Sequence, residues 1–255
     1  MSLEIEVADP TPATHQRIVG VDVGQRSLAV ATDLQNHITF FPGQAARAKA
    51  DHDARLRKRL QQKGTRSATR RLVVMAGRER RWKQERNHRI SRQIVDASPQ
   101  RLIGLEDLTH IRERRKRKHG KKASPKQRRA NRHAAQWAFA DLQAYLADKA
   151  VLRGSVAVQV DADHTSQCCL RCGHAAEDNR RQKGLLFSCQ GCQLVLHADL
   201  IGARNMALRT LLVRQDWVST GVLSARPEVS SDEAKAAWRR RYAEVRWSPD
   251  TSSRA

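Results

Sequence analysis

Acidic and aromatic side chains are both scarce in this chain of 255 residues. Only 26 Asp and Glu stand against 48 Lys and Arg, and Phe, Trp and Tyr together make up 4%. The first shortage leaves a formal net charge of +22 and makes a polyanion the default partner. The second leaves few platforms for base stacking, so a nucleic acid would be held mainly through its phosphates. There is no apolar run of about 18 residues and no signal-peptide core, which excludes a membrane span and points to a soluble intracellular protein. Cysteine is missing everywhere except positions 168 to 192, where an intracellular context and paired spacing argue against disulfides. No repeat is present, and an apolar content of 40% is enough to bury a core.

The positive charge is focused. Between Arg47 and Arg101, 18 basic residues stand against 5 acidic ones, and between Arg112 and Arg132 there are 12 against 1, so the rest of the chain nets −2. Two concentrated basic segments suit the phosphate backbone of a nucleic acid. A membrane-surface patch is the alternative, but no amphipathic anchor accompanies it. Within the second segment the candidate phosphate contacts are Arg112, Arg114, Arg115, Lys116, Arg117, Lys118, Lys121 and Lys122.

All five cysteines fall in one stretch, arranged as Cys169-x-x-Cys172, sixteen intervening residues, then Cys189-x-x-Cys192. Two C-x-x-C knuckles so spaced are the pattern of a four-cysteine zinc ribbon, with Gly173 and Gly191 easing the turns. Cys168 is the odd one out and reads as a bystander thiol.

Residues 1–16 read as a loose lead-in containing Pro10 and Pro12. Three short strands follow in Arg17–Gly24, Ser27–Asp33 and His37–Phe41, as an antiparallel meander. A basic helical region runs from Gln44 to Asp96, with breaks expected at Gly64 and Gly77. A fourth strand spans Gln100–Leu105 and a helix Ala134–Ala150. A fifth strand covers Ser155–Val160, and a helix follows the cysteines at about Leu200–Val213. A polar tail carries one more helix, Ser231–Trp247. The order β-β-β-α-β-α-β-α is that of an RNase H-like α/β fold, a mixed sheet flanked by helices with the ribbon inserted.

Three acids sit where such a sheet does chemistry. Asp22 lies within the apolar first strand, where an unpaired charge is costly. Glu106 ends the fourth strand, with Asp107 as its alternative. Asp199 opens the helix after the ribbon, a position that also suits a helix cap. Acids grouped at strand ends can hold two Mg²⁺ ions about 4 Å apart for phosphodiester hydrolysis.

The runs Gly20-Val-Asp-Val-Gly24, Gly104-Leu-Glu-Asp-Leu108, Thr165-Ser-Gln-Cys-Cys-Leu-Arg-Cys-Gly173 and Ala198-Asp-Leu-Ile-Gly-Ala-Arg-Asn205 stand in one order and spacing. Across residues 17–212 the chain thereby resembles the TnpB (OrfB) proteins of bacterial insertion sequences, annotated in that family as transposases and similar to miniature type V CRISPR nucleases. The resemblance implies a RuvC-type nuclease domain at 17–163 and 197–213. It implies a target-nucleic-acid-binding zinc ribbon at 164–196, and leaves a polar tail at 214–255. It makes Asp22, Glu106 and Asp199 the Mg²⁺-binding triad and Cys169, Cys172, Cys189 and Cys192 the Zn²⁺ ligands. The implied partners are DNA and a guide RNA, without membrane or small-molecule cofactor, in a bacterial cytoplasm beside the nucleoid. Thr109 and His197 depart from the family pattern. Sixteen residues precede the first strand where family members carry a recognition half, so this chain is expected to be the catalytic half. The alternative is a truncated or non-cleaving nucleic-acid-binding remnant or regulator.

Overall fold

In the computed structural model, the described residues are 9–108, 124, 128–131, 133, 138–180, 185–224 and 232–247. Five strands form one sheet: β1 (Arg17–Asp22), β2 (Ser27–Asp33), β3 (Ile38–Pro42), β4 (Arg101–Glu106) and β5 (Val156–Val160), in the order β3-β2-β1-β4-β5. β2 runs antiparallel to β1 and β3, while β4 pairs parallel with both β1 and β5. The meander and the two parallel crossovers are those anticipated for an RNase H-like sheet. No helix among the described residues is long and apolar enough to cross a membrane.

The first crossover holds a helical hairpin, α1 (Gln44–Lys63) and α2 (Arg66–Asp96). Gly64 makes the turn at φ 62°, and Thr65 caps α2 by accepting from the Ala68 amide at 3.2 Å. The break expected at Gly77 does not occur, and α2 runs unbroken for 31 residues. A single glycine costs a helix only about 1 kcal/mol, which its neighbours supply here. Among the few buried polar groups of this basic hairpin, Glu79 joins the two helices, accepting from Arg57 at 2.7 Å and pairing with Lys83 at 3.0 Å.

One face of the sheet is covered by the second half of α2 and by α3 (Phe139–Leu152). Ile90, Ile94, Leu142 and Leu146 pack there on Val19, Val21, Ile103 and Leu105. The expected start of α3 at Ala134 falls outside the described residues up to 137. The opposite face takes a single helix, α4 (Ala198–Thr220), seven residues longer at its end than its pattern suggested. Polar Arg214, Gln215 and Asp216 disguise the last turns, but Trp217 is buried and Gly221 closes the helix at φ 73°.

α4 lies almost on the sheet backbone. A Cβ on Gly20 would stand 2.2 Å from the Ala207 nitrogen, and one on Gly104 would stand 1.7 Å from Thr210 Oγ1. Gly20→Ala therefore has only backbone to push against. It should destabilise the fold by about 3 kcal/mol, read as a lower midpoint in denaturant melts. A variant that melts like the wild type would place α4 further from the sheet than the structure does.

The other side of α4 is also covered, by the cysteine-bearing module. It contains a short hairpin of β6 (Leu186–Ser188) and β7 (Val195–His197). Leu170 and Phe187 from this module pack on Ile201 and Leu208 of α4. The last helix, α5 (Asp232–Glu244), ends three residues before the expected Trp247, and its expected start at Ser231 lies outside the described residues. After it, Val245 and Trp247 join the same cluster, the Trp247 amide donates to the Leu170 carbonyl at 3.0 Å, and Arg241 pairs with Asp216. The lead-in is not loose over its described part. His15 is buried, its Nε2 lies 3.0 Å from the Gly154 carbonyl, and its own carbonyl accepts from Arg214 at 2.9 Å. Proline bars a regular element there, but side-chain docking to α4 still orders it.

Candidate active site and metal centre

β1 and β4 run parallel in register, Val21 opposite Leu105, so Asp22 and Glu106 emerge side by side at the same sheet end. Asp199 comes from the first turn of α4, whose cap is the His197 ring: Nδ1 accepts from the Asp199 amide at 3.2 Å. Gly202, three residues on, lets Asp22 lean against the helix; a Cβ there would fall 2.8 Å from the Asp22 carboxyl carbon. Glu106 lines the resulting cleft with Asp22 and Asp199, while Asp107 does not, its amide donating instead to the Val160 carbonyl at 3.0 Å.

Asp22 keeps some surface towards the cleft, yet protein encloses it closely enough that desolvation raises its pKa well above the ordinary 3.8. Glu106 and Asp199 raise it further by repulsion, and Arg180 opposes them. Asp199 Oδ2 is buried with no hydrogen-bond partner. Crowded like charges and an orphaned carboxylate oxygen fit hard divalent cations such as Mg²⁺, which would relieve both. Among the described residues, the cysteine quartet alone brings three or more such ligand atoms within 4.8 Å of one another. The acids are spread more widely, as two ions about 4 Å apart would need.

The cleft measures ≈ 1190 Å³ and is cationic around the acids, with Arg26, Arg47, Arg129 and Arg180 on its walls. Arg47 is partly committed, donating to the carbonyls of Gln25 and Arg26 and so pinning the β1–β2 turn. Arg129 pairs with Asp51 of α1, which His133 Nε2 also meets at 2.8 Å. Burial alone would push the Asp51 carboxyl up, but those two partners hold it at about 2. The contacts expected at Arg112, Arg114, Arg115, Lys116, Arg117, Lys118, Lys121 and Lys122 lie outside the described residues. Sequence reading passed over Arg26 and Arg180, because both lie outside the two concentrated basic segments. It passed over Gly202 too, whose role depends on a contact with another element.

The four ribbon sulfurs of Cys169, Cys172, Cys189 and Cys192 all lie within 4.8 Å of one another, with two pairs at 3.5 Å. A tetrahedral zinc with bonds of about 2.3 Å needs sulfurs roughly 3.8 Å apart, so the donor set suits a single zinc ion. Cys169 is pushed up to about 12 by burial. Burial acts on Cys189 too, but the amides of Cys192 and Gly191, at 3.4 and 3.3 Å from its sulfur, help bring it down to about 7. The first knuckle turns at Gly173 (φ 75°), as expected, but the second turns at Gln193 (φ 60°) and not at Gly191. The left-handed residue is the one after the second cysteine of each pair. Cys168 stands apart, its sulfur facing the Gly173 carbonyl at 3.7 Å.

Residues 139–206 match the family model described as Cas12f1-like, TNB domain. The chain is 33% identical over 125 residues to the CRISPR-associated endodeoxyribonuclease Cas12f1 of Sulfoacidibacillus thermotolerans, covering 48% of this chain and 26% of that one. It is 36% identical over 76 residues to InsQ of Escherichia coli (strain K12), covering 30% and 19% respectively. A cryo-EM structure of a Cas12f1–sgRNA–target DNA complex aligns with 80% of this chain and 52% of that one at a TM-score of 0.57. At 20% identity that likeness is one of fold. The chain spans about a quarter of the length of the Cas12f1 relatives it matches. The TNB match over residues 139–206, the five-stranded mixed sheet with its four-cysteine module, and these relatives together make the chain similar to TnpB and Cas12f proteins.

Proposed function

We propose that this chain carries the catalytic core of an RNA-guided DNA endonuclease, cutting phosphodiesters at a RuvC-type site with Mg²⁺. The observation that carries the reading is the convergence of Asp22, Glu106 and Asp199, from three separate elements, on one cleft with cationic walls. The relatives named as endodeoxyribonucleases support it, and one structural neighbour is a complex with an sgRNA and target DNA. We assign the nuclease domain to 17–163 and 197–213, continued by α4 to Thr220, the target-binding ribbon to 164–196, and the polar tail to the residues after α4. The element of origin is an insertion sequence, and the working place is the bacterial cytoplasm beside the nucleoid.

Bound between the three carboxylates, a pair of Mg²⁺ ions would activate the attacking water and stabilise the leaving 3′ oxygen. The protein's own groups do the rest. Asp22 is held against Gly202, and so beside the first turn of α4 that carries Asp199. The His197 cap fixes the Asp199 backbone, and Arg180 offsets negative charge where a phosphate would arrive. Arg26 lines the same cleft, where neighbouring phosphates would pass. The ribbon, packed on α4, joins the strand-seating surface to the acids. Its zinc would be structural, closing a module too small to hold its own core.

Cleavage of labelled single-stranded and plasmid DNA with Mg²⁺ tests this directly, comparing the wild type with Asp199→Ala. Cutting by the wild type alone, with DNA affinity equal in both, is the expected outcome. DNA binding without cutting by either would identify a binding remnant.

A further inference from the structure

We propose that the exposed ring of Phe40 is a stacking platform for the nucleobase of a nucleotide beside the scissile phosphate, an inference that rests on the nuclease reading of the same cleft. The strand register carries it. Asp22 pairs with Val30 of β2, and Val30 pairs with Phe40 of β3. Residues in register on neighbouring strands point to the same face, so Asp22, Val30 and Phe40 form one row on the α4 side of the sheet. With strands about 4.8 Å apart, Phe40 lies two strands, or about 10 Å, along from the acid. That is within reach of a base attached next to a phosphate held at Asp22.

Along the row the cover changes. Val30 is fully buried beneath Leu200 and Ala203 of α4. At Phe40 the helix no longer covers the sheet, and the ring is left 42% exposed on an edge strand. Edges are usually blunted with charge or proline, and here Pro42 closes the strand while an apolar ring stays open. Phe40 meets the His197 ring edge-on at 5.3 Å and 86°, so it is braced without being covered. His197 in turn caps the helix that carries Asp199. Phe40 lines the same cleft as all three acids, and the cleft's other described phenyl ring, Phe139, is buried.

A π-face beside a cationic track is how single strands are held without reading their sequence. The arginines would take the phosphates and Phe40 one base, whichever it is. The ring would thereby set where the strand lies relative to Asp22, a positioning role rather than a chemical one.

The test is a cycle between ring and base. Zinc-loaded wild type, Phe40→Ala and Phe40→Tyr are titrated with a short oligothymidylate and with an oligomer of equal length lacking bases, in Ca²⁺ to prevent cutting. Stacking is worth about 1–3 kcal/mol per base, so Phe40→Ala should lose at least about 5-fold for oligothymidylate. It should lose nothing for the base-free strand, and Phe40→Tyr should behave as wild type. Equal losses on both strands, or none on either, would overturn the platform and leave the nuclease reading standing. A base-dependent loss in a chain that never cuts with Mg²⁺ would support the platform and overturn the nuclease reading. A wild type that binds neither strand would overturn both.

Discussion

Asp22→Asn is expected to abolish Mg²⁺-dependent cleavage, by a factor of about 10³ or more, and at the same time to stabilise the metal-free protein. The two effects share one cause. The Asp22 carboxyl has its pKa raised, first by burial and then by Glu106 and Asp199. The folded state therefore holds the proton more tightly than the unfolded chain, whose value is near 3.8. Stability contributed by this group is greatest at low pH, falls as pH rises from about 4 through the raised value, and stays lost at neutral pH. A neutral amide removes that loss. Melting curves should show Asp22→Asn above wild type at pH 7.5 without metal, with the gap closing below about pH 4. Mg²⁺ should then raise the wild-type melting temperature and leave the variant unmoved. A variant less stable than wild type at neutral pH would mean that Asp22 has a structural partner worth more than the repulsion it suffers.

Removing zinc should have the largest effect on the fold. Apparent zinc-binding energies in small four-ligand modules are about 10–16 kcal/mol, and in such modules that energy is folding energy. Elemental analysis should find one zinc per chain. Chelation, or Cys189→Ser, should lower the melting temperature by about 10 °C or more. The damage should spread beyond the ribbon, because Leu170 and Phe187 cover Ile201 and Leu208 on α4, and β7 leads straight into Asp199. DNA cleavage should be lost with the zinc. Cys168→Ser, whose sulfur lies outside the quartet, should keep both zinc and stability. A Cys189→Ser protein that melts like wild type would show that the four sulfurs hold no structural metal.

The element order was largely legible because it rests on local patterns. Apolar runs broken by turn residues announce β1, β2 and β4, and the break expected at Gly64 announces the hairpin. Gly77 misled because a glycine's effect on a helix is small and is outweighed by neighbours. α4 misled at its end because polar Arg214, Gln215 and Asp216 interrupt the apolar pattern there, although Trp217 beyond them is buried. Gly20 and Gly104 look like strand-weakening residues in sequence and are contact points for α4 in space.

Cysteine spacing and the strand-end acids are covalent-scale signals, so the sequence alone determined which residues were candidates for zinc and for Mg²⁺, and that a polyanion was the partner to expect. Only the tertiary structure decided how the acids meet, because Gly202 seats Asp22 on α4 and parallel register sets Glu106 beside it. It also decided which cations from outside the basic segments, Arg26 and Arg180, line the cleft with them, and that one ring of a sparse aromatic set stands open there. Each of these depends on contacts between residues far apart in the chain. Such contacts follow from register and packing, which no local spacing encodes.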